Sequence, residues 1–329
     1  MNYKSILITG GTGSFGKEYI RFLIKKYKNL KRLVIFSRDE LKQSLMAQEF
    51  SEKKYPFIRF FLGDVRDIQR LTRALDRIDL VIHAAALKHV PIAEYNPIEF
   101  IKTNVYGAQN IIEASLNNKV KKVIALSTDK ACSPINLYGA SKLCSDKLFI
   151  AANNYVGNKT SFSVVRYGNV LGSRGSVLPI ITAALKNRSF FYLTNSKMTR
   201  FNITLTEGVN LVDWASKKLL GGEILVPKIP SYNLKTFLEA LNVKKIKNVG
   251  LRKGEKIHEE MISKADSFTT YDIGNKYIIL PDNDKKRIST YKKTFKSIKK
   301  VKEGFSYNSG DNKFFLKVSE IKKLVKAHS

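Results

Sequence analysis

Short apolar runs alternate with longer stretches of helical periodicity over the first half of the chain. The runs are rich in Val, Ile, Leu and Phe, which is typical of strands buried on both faces. They lie near Ile6 to Thr9, Leu33 to Ser37, Phe57 to Leu62, Leu80 to His83, Lys122 to Ser127 and Phe162 to Arg166. This alternation predicts an α/β fold with helices on both sides of a doubly wound, parallel, Rossmann-type sheet.

The pattern changes after Arg166, where the elements become shorter and glycine and proline interrupt them more often. We therefore expect residues 1–167 to form a dinucleotide-binding domain, rejoined by part of 204–230. Residues 168–329 should form mainly a smaller substrate-binding cap over the carboxyl ends of the strands, where open α/β sheets bind their ligands.

The formal charge of +30 over 329 residues would suit nucleic acid. However, the lysine-rich stretch from Lys285 to Lys302 lacks the interleaved aromatic residues of a base-stacking surface. We expect a solvated basic face and no nucleic-acid partner.

The sequence shows no secretion signal and no apolar stretch near the ~18 residues of a membrane span, which predicts a cytoplasmic protein without membrane insertion. The two cysteines and the pair His83 and His89 complete no metal-ligand set, so we expect no metal.

A glycine-rich loop follows the first apolar run and precedes an amphipathic stretch. Its glycines fit the G-x-G-x-x-G spacing and also the wider G-x-x-G-x-x-G spacing. Without side chains, backbone amides can approach a pyrophosphate, and the following helix N-terminus adds partial positive charge. The cofactor-binding residues predicted in this loop are Gly10, Thr12, Gly13, Ser14, Phe15 and Gly16.

The second predicted strand ends on Ser37, Arg38 and Asp39. A carboxylate at this point usually binds the ribose hydroxyls of NAD, whereas an arginine can pair with the 2′-phosphate of NADP. Because Ser37 and Arg38 come first, we favour NADP, although Asp39 leaves NAD open. Asp64 follows the third strand, where it could contact adenine or simply stabilise a turn.

Four kinds of reactive side chain follow the fifth strand: Thr128, Asp129, Lys130 and then the pair Tyr138 and Lys142. The i, i+4 spacing places the phenol and the amine on one helical face. We expect the ammonium of Lys142 to lower the pKa of Tyr138, so that the phenolate can accept a proton from a sugar hydroxyl while Thr128 hydrogen-bonds the same hydroxyl.

Asp129 and Lys130 exceed what a simple dehydrogenase needs. Oxidation of a sugar at C4 acidifies the C5 proton, so a nearby base can remove that proton and a nearby acid can expel the C6 hydroxyl as water. An amine and a carboxyl group suit these tasks. The alternative is a capping aspartate followed by an exposed lysine.

Several stretches together carry a family resemblance. The chain resembles the inverting UDP-N-acetylglucosamine 4,6-dehydratases of pseudaminic acid and related surface-glycan pathways, which are extended short-chain dehydrogenase/reductases. The resemblance covers residues 4–262, and the matching stretches are 7–17, 37–43, 63–67, 83–97, 125–131, 136–142, 166–170, 172–176 and 222–224.

This resemblance implies that Asp129 is the acid at O6, Lys130 the base at C5 and Tyr138 the base at O4. It also implies a tightly held NADP, a homo-oligomer that is a dimer or a hexamer, and the product UDP-2-acetamido-2,6-dideoxy-β-L-arabino-hexos-4-ulose. Lys130 in place of a glutamate marks the C5-inverting branch. Two departures, Asn202 and Lys253, lie in the cap and leave the exact hexosamine and nucleotide less defined.

Further site residues come from the matching motifs. Those implied at the cofactor are Asp64, Val65, Ala84, Ala85, Lys88, Tyr138 and Lys142. Those implied at the sugar nucleotide are Lys88, Asn169, Ser173, Arg174, Arg200, Arg252 and Glu255. Two other enzyme activities remain open, a C5-retaining dehydratase and a UDP-sugar epimerase. A third alternative is a non-catalytic, NADP-sensing regulator.

Overall fold

The computed structural model describes residues 3–154, 157, 159–173, 175–295 and 297–328. The chain divides into two compact units. The first contains residues 1–127, 141–165 and 209–225, and the second contains 128–140, 166–208 and 226–329.

The strands and helices are numbered in chain order. The strands are β1 (Ser5–Thr9), β2 (Arg32–Ser37), β3 (Ile58–Leu62), β4 (Leu80–His83), β5 (Lys122–Thr128), β6 (Ser161–Tyr167), β7 (Asn169–Val170), β8 (Phe191–Leu193), β9 (Thr199–Ile203), β10 (Ile224–Pro227), β11 (Ser231–Asn233), β12 (Ile246–Asn248), β13 (Glu260–Ile262), β14 (Thr270–Asp272), β15 (Lys276–Ile279), β16 (Lys299–Lys300) and β17 (Tyr307–Asn308). The α-helices are α1 (Ser14–Lys26), α2 (Glu40–Glu49), α3 (Ile68–Ala74), α4 (Val90–Tyr95), α5 (Pro97–Phe100), α6 (Gly107–Asn117), α7 (Leu137–Ala151), α8 (Val177–Lys186), α9 (Leu205–Lys218), α10 (Leu234–Ala240), α11 (Lys285–Thr294) and α12 (Val318–His328).

The first unit is built on a sheet with the strand order β10, β6, β5, β4, β1, β2, β3. β1 pairs in parallel with β2 and β4, so that Leu7 lies opposite Val34 on one side and Val81 on the other. All three side chains are fully buried. The apolar runs of the sequence form these strands because a sheet covered on both faces has no solvent-facing side. The predicted α/β fold class is confirmed, and the six predicted strands shift by at most one residue at either end.

The helices of this unit begin where the sequence supplies suitable caps. The carboxylate of Asp39 accepts a hydrogen bond from the Lys42 backbone amide at the start of α2, and Asp67 caps α3 in the same way through Arg70. Each cap satisfies an amide that has no partner within its helix. The π-helical segment Ile101–Tyr106 leads directly into α6.

The second unit contains several groups of paired strands. β9 pairs with β11 and β7, β8 pairs with β12, β13 pairs with β17, and β14 pairs with β15 and β16. An apolar cluster contributed mainly by α8, α10 and α12 includes Ile181, Phe191, Met198, Phe237 and Ile321. The assignment of cofactor binding to one domain and substrate binding to the other stays a prediction.

The length and hydropathy of the described helices bear on membrane insertion. Within residues 3–154, 157, 159–173, 175–295 and 297–328, none of them is both long enough and apolar enough to cross a bilayer.

Two helical glycines provide a matched pair for testing packing. A Cβ on Gly16 in α1 would lie 2.3 Å from the carbonyl oxygen of Gly11, whereas a Cβ on Gly208 in α9 meets no heavy atom within 4 Å. We expect Gly16→Ala to lower the free energy of unfolding by about 1–3 kcal/mol through overpacking. Gly208→Ala should instead raise it by up to about 1 kcal/mol through helix propensity. Urea denaturation of both variants checks this, and equal effects would contradict it.

Candidate active site

The glycine-rich loop lies directly against the loop that follows β4. Gly10 has a φ of +64°, and a Cβ there would lie 2.9 Å from the Ala85 nitrogen and 3.0 Å from the Ala84 carbonyl carbon. The amides of Ala84 and Ala85 both donate to Thr9 Oγ1, at 3.1 and 3.2 Å. The structure therefore brings together three residues that the sequence assigned to the cofactor.

The same loop continues into the N-terminus of α1. Gly13 is the N-cap residue and provides no side-chain cap, and Ser14 begins the helix. Phe15 stacks on Tyr19 with 5.6 Å between ring centroids, and Thr12 is buried. A backbone cradle without side chains at a helix N-terminus fits the pyrophosphate of a dinucleotide.

Three side chains at the end of β2, those of Ser37, Arg38 and Asp39, differ in how far they are occupied by other residues. Ser37 is buried, and its hydroxyl accepts a hydrogen bond from Gln43 Nε2 at 3.1 Å. Asp39 accepts the Lys42 amide at 2.9 Å and also pairs with the Lys42 ammonium. Arg38 is half exposed, with a loose contact of 3.6 Å to Asp64. The carboxylate is committed to the first turn of α2, while the guanidinium projects from the strand end.

Asp64 lies in the loop after β3. Burial opposes ionisation of this carboxyl group, but hydrogen bonds from the Arg66 side chain and backbone hold its pKa below the usual range. The Arg66 guanidinium lies 2.8 Å from Asp64 Oδ2. The neighbouring Val65 is buried, and its carbonyl accepts a hydrogen bond from Asn110. Asp64 therefore carries a negative charge.

Asn104 connects two stretches that carry predicted site residues, and it was not predicted from the sequence. It is buried in the π-helical segment, and its amide oxygen accepts the Leu87 backbone N–H at 2.9 Å. Its Nδ2 donates to the Leu87 carbonyl at 2.9 Å and to the Ser141 hydroxyl at 3.0 Å. Asn104 thereby fixes the backbone before the exposed Lys88 and the stretch of α7 just before Lys142.

Helix α7 carries both Tyr138 and Lys142, one turn apart. Lys142 is buried, and this burial lowers the pKa of its ammonium, although Asp146 opposes the effect. Tyr138 is partly exposed. Because the pKa of Lys142 is lowered, the charge on its amine depends on what binds beside that amine.

Asp129 and Lys130 follow β5 in a single turn of 3₁₀ helix. The Lys130 ammonium lies 3.1 Å from Asp129 Oδ1, which also accepts a hydrogen bond from the Thr128 hydroxyl at 3.0 Å. Asp129 is 1% exposed. Burial raises its pKa, and Glu259 adds to the rise while Lys130 opposes it. The predicted acid, base and hydroxyl are thus adjacent. Only 20% of the Lys130 side chain is exposed, so the alternative of an exposed lysine does not hold.

Two further charged side chains reach this cluster. Glu259 Oε1 lies 2.9 Å from the Lys130 ammonium and 3.8 Å from Arg200 Nε. Arg200 also donates to the carbonyl oxygens of Thr199, Ile257 and Lys256. Much of the guanidinium predicted to bind substrate is therefore engaged by its own backbone surroundings.

The segment 252–259 is tied to the segment 128–140 at three points. Asn136 Nδ2 donates to the Gly254 carbonyl at 2.7 Å, and the Lys256 ammonium donates to the Cys132 carbonyl at 2.7 Å. The third link is the ion pair between Lys130 and Glu259. Asn136 Oδ1 also accepts the Gly139 amide at 2.8 Å, which fixes the start of α7.

The second unit also contains the predicted substrate residues Arg252, Glu255, Asn169 and Ser173. Arg252 and Glu255 form one turn, in which the Arg252 amide donates to Glu255 Oε2 at 3.3 Å. Asn169 begins β7, and its Oδ1 is buried without a hydrogen-bond partner among the described residues. The Ser173 hydroxyl donates to the Val170 carbonyl at 2.9 Å. Arg174 lies outside the described residues.

No group of metal-binding side chains occurs within the portion of the chain that the structure describes. His83, at the end of β4, lies 2.9 Å from Thr9 Oγ1 through its Nδ1 atom and packs on Phe149. Burial, followed by the charge of Lys142, lowers the pKa of His83 to about 3. Its imidazole is therefore neutral in the folded protein.

A family described as polysaccharide biosynthesis protein matches residues 6–281. The chain belongs to this family. It is similar to a Campylobacter jejuni protein named UDP-N-acetylglucosamine 4,6-dehydratase (inverting), with 51% identity covering 98% of both chains. It is also similar to a Rickettsia bellii protein named UDP-glucose 4-epimerase, with 41% identity covering 98% of this chain and 95% of the relative.

Among solved structures, the X-ray structure of Pen from Bacillus thuringiensis matches this polysaccharide biosynthesis protein with a TM-score of 0.90 and 35% identity. The match covers 98% of this chain and 97% of that one. These comparisons confirm the predicted family resemblance and the predicted enzyme class, a sugar-nucleotide 4,6-dehydratase.

The buried neutral His83 predicts a specific dependence of stability on pH. Unfolding restores its ordinary pKa of 6.5, so the unfolded chain binds more protons than the folded one between that value and about 3. The free energy of unfolding should therefore fall by up to about 1.4 kcal/mol per pH unit from this group as pH drops through that window. Urea denaturation between pH 7 and pH 4 should show a shallower fall in His83→Gln. Parallel curves for the two proteins would refute this.

Proposed function

We propose that the protein removes water from UDP-N-acetylglucosamine across C5 and C6, with oxidation at C4, and inverts C5. The product is the C5-inverted 4-keto-6-deoxy sugar nucleotide. The observation that carries the proposal is the contact of 3.1 Å between the Lys130 amine and the buried Asp129 carboxyl group, on the segment that also carries Tyr138. The inverting Campylobacter relative supports the stereochemical outcome.

The proposed division of labour follows the chemistry of each side chain. Tyr138 accepts the proton of the C4 hydroxyl, Thr128 orients that hydroxyl, and the buried Lys142 favours the phenolate. A nicotinamide cofactor, which the loop residues from Gly10 to Gly16 would hold, would supply the hydride chemistry at C4 and C6. Lys130 takes the C5 proton as that C–H bond breaks. Asp129 gives its proton to O6, which leaves as water when the C6–O6 bond breaks. C5 then regains a proton that originates from solvent, and inversion requires that this proton arrive on the opposite face.

The raised pKa of Asp129 supports its part in this scheme. A general acid must hold a proton at the working pH, and burial with a neighbouring negative charge favours the protonated form. Lys130 must be neutral when it takes the C5 proton, so the proton shared by this pair resides on Asp129 at that moment. The two groups titrate as a coupled pair.

For the cofactor we propose NADP. Asp39 is committed to the Lys42 amide and ammonium, which leaves it poorly suited to bind ribose hydroxyls. Arg38 has one loose contact of 3.6 Å and can pair with a 2′-phosphate. The loop residues from Gly10 to Gly16 would hold the pyrophosphate, and Asp64 and Val65 would lie near the adenine.

Substrate recognition is proposed to rest on the turn of Arg252 and Glu255, together with Lys88, Asn169 and Arg200. An arginine suits the diphosphate, and a carboxylate suits the ribose hydroxyls. A homo-oligomer in the cytoplasm, serving pseudaminic acid or related surface-glycan synthesis, completes the proposal.

Turnover in deuterated water tests the reaction. We expect UDP-N-acetylglucosamine to lose one water and to gain deuterium at C5 with inverted configuration, because C5 is deprotonated and reprotonated. Mass spectrometry and NMR of the product measure both changes. Deuterium with retained configuration would indicate a C5-retaining dehydratase, and epimerisation without loss of water would indicate an epimerase.

Two variants serve as controls in this experiment. Lys130→Ala and Tyr138→Phe should each lower turnover by at least about 100-fold, because each removes a proton-transfer group. Both should keep their bound cofactor. Wild-type turnover in either variant would contradict the assigned roles. Absence of turnover in the wild-type protein itself would favour the non-catalytic regulator.

The preference for NADP is testable at Arg38. We expect Arg38→Ala to weaken NADP binding by roughly 10- to 100-fold, because one charge-assisted pair is lost. NAD binding should change little. Fluorescence titration of the cofactor-free protein with each dinucleotide measures the ratio. Exposed Arg73 at the end of α3 provides the control variant Arg73→Ala, and equal losses for both dinucleotides in Arg38→Ala would contradict the proposal.

A further inference from the structure

Glu259 lies beside the proposed acid and base, although no role was predicted for it from the sequence. It is 2% exposed, and its Oε1 atom lies 2.9 Å from the Lys130 ammonium. The same oxygen lies 3.8 Å from Arg200 Nε. The Lys130 amine therefore contacts two buried carboxyl groups, those of Asp129 and Glu259.

The backbone of Glu259 is itself fixed. Its N–H donates to the Ser309 hydroxyl at 2.8 Å, and its carbonyl accepts the Ser309 amide at 2.8 Å. The Ser309 hydroxyl also lies 2.8 Å from Thr199 Oγ1, next to Arg200. These bonds extend the pairing of β13 with β17 by one residue. The carboxylate is thus placed by a sheet edge rather than by a free loop.

The hydrogen bonding of the two carboxyl groups is incomplete. Glu259 Oε2 and Asp129 Oδ2 are both buried and have no hydrogen-bond partner within the part of the chain that the structure describes. Burying a charged pair with open acceptors does not favour folding, since desolvation can exceed the Coulombic gain. The arrangement is better explained by a task at the site than by stability.

The charges divide unequally between the two carboxyl groups. Burial opposes ionisation of Glu259, but Lys130 and Arg200 hold its pKa below the usual range. Asp129 has a raised pKa, and the charge of Glu259 contributes to that rise. Burial would lower the pKa of Lys130, but Asp129 and Glu259 together raise it. Glu259 is therefore the permanent anion of the cluster, and it favours a proton on both of its neighbours.

We propose that Glu259 is a positioning residue for the proposed dehydration, holding the Lys130 amine against Asp129 and supplying the fixed negative charge that governs how the pair shares its protons. Glu259 takes no proton from the substrate. This inference rests on the proposed function, because the pair has a reaction to perform only if Lys130 and Asp129 act as base and acid.

Other charged groups also face this cluster. Arg200 opposes the effect of Glu259 on Lys130, and Lys256 adds to the positive charge around Glu259. Tyr232 is buried, and this burial raises its pKa to about 12. Its hydroxyl also interacts electrostatically with Arg200, Lys130 and Asp129. It stays neutral in the range where the enzyme would be assayed. Glu259 is thus the one carboxylate of this set that can be changed without removing a proposed proton donor or acceptor.

The test compares Glu259→Gln, which removes the charge, with Glu259→Asp, which keeps the charge and withdraws it by one methylene. Glu259→Gln should lower kcat by about 10- to 100-fold with KM nearly unchanged. Both limbs of its profile of kcat against pH should move to lower pH by roughly one unit, because Glu259 raises the pKa of Lys130 and of Asp129 alike. Glu259→Asp should lower kcat with both limbs near their wild-type positions. Exposed Glu239 in α10 provides the control Glu239→Gln, which should match wild type.

A second measurement does not depend on turnover. Competitive labelling with acetic anhydride, followed by mass spectrometry, reports the neutral fraction of each lysine. At a pH below its pKa, Lys130 should acetylate about tenfold faster in Glu259→Gln than in wild type, since a shift of one pKa unit raises the neutral fraction by that factor. The labelling of exposed Lys285 in α11, which has no contact with Glu259, serves as the internal reference.

The outcomes separate the inference from the function beneath it. A wild-type enzyme that releases water, with an unshifted pH profile and unchanged Lys130 labelling in Glu259→Gln, would overturn the positioning role alone. A wild-type protein without dehydration would overturn the proposed function, even if the labelling of Lys130 changed as expected. Should Glu259→Gln not fold, wild-type kcat in Glu259→Asp would overturn the role.

Discussion

The site depends on one constraint, the attachment of residues 252–259 to residues 128–140. Three contacts make it: Asn136 with the Gly254 carbonyl, Lys256 with the Cys132 carbonyl, and Lys130 with Glu259. Two of them are charge-assisted, and the ion pair of Lys130 with Glu259 is largely buried. Such interactions are stronger in a buried site than in water. The loop that carries the proposed acid and base therefore has a defined shape before any ligand binds.

This attachment also explains the electrostatics of the site. With Glu259 placed beside Lys130, the buried cluster holds two carboxyl groups and two cations within a few ångströms. A low local dielectric makes the protonation of each member depend on the others. The result is a raised pKa at Asp129 next to a lowered pKa at Glu259, and such a separation of otherwise similar groups is typical of acid–base sites.

The region after residue 262 contributes to the site by fixing the backbone of Glu259. Its sequence offers few motifs, yet Ser309 supplies both backbone hydrogen bonds that fix Glu259. The hydroxyl of Ser309 also contacts Thr199 Oγ1. Pairing of this kind requires only a suitable strand path and one small polar residue, here Ser309. The +30 charge, by comparison, is not needed to explain the site.

Local patterns predicted much of the site because neighbours in sequence stay neighbours in space. The glycines at Gly10 and Gly13, the caps of α2 and α3, and the adjacent Thr128, Asp129 and Lys130 are all defined within a few residues. Asn104 and Glu259 were missed for the opposite reason. Their partners, Ser141 and Lys130, lie far along the chain, and an asparagine or a glutamate in a polar stretch carries no signal of its own.

The sequence by itself determined the α/β class, the strand positions, the phosphate loop and the identity of the reactive side chains. Hydrophobic periodicity and glycine spacing record burial and backbone freedom directly, which is why these features could be read in one dimension. The tertiary structure alone decided which carboxyl group stays ionised and which arginine is occupied by its own backbone. Those properties depend on desolvation and on distances between remote segments, and no local pattern encodes either quantity.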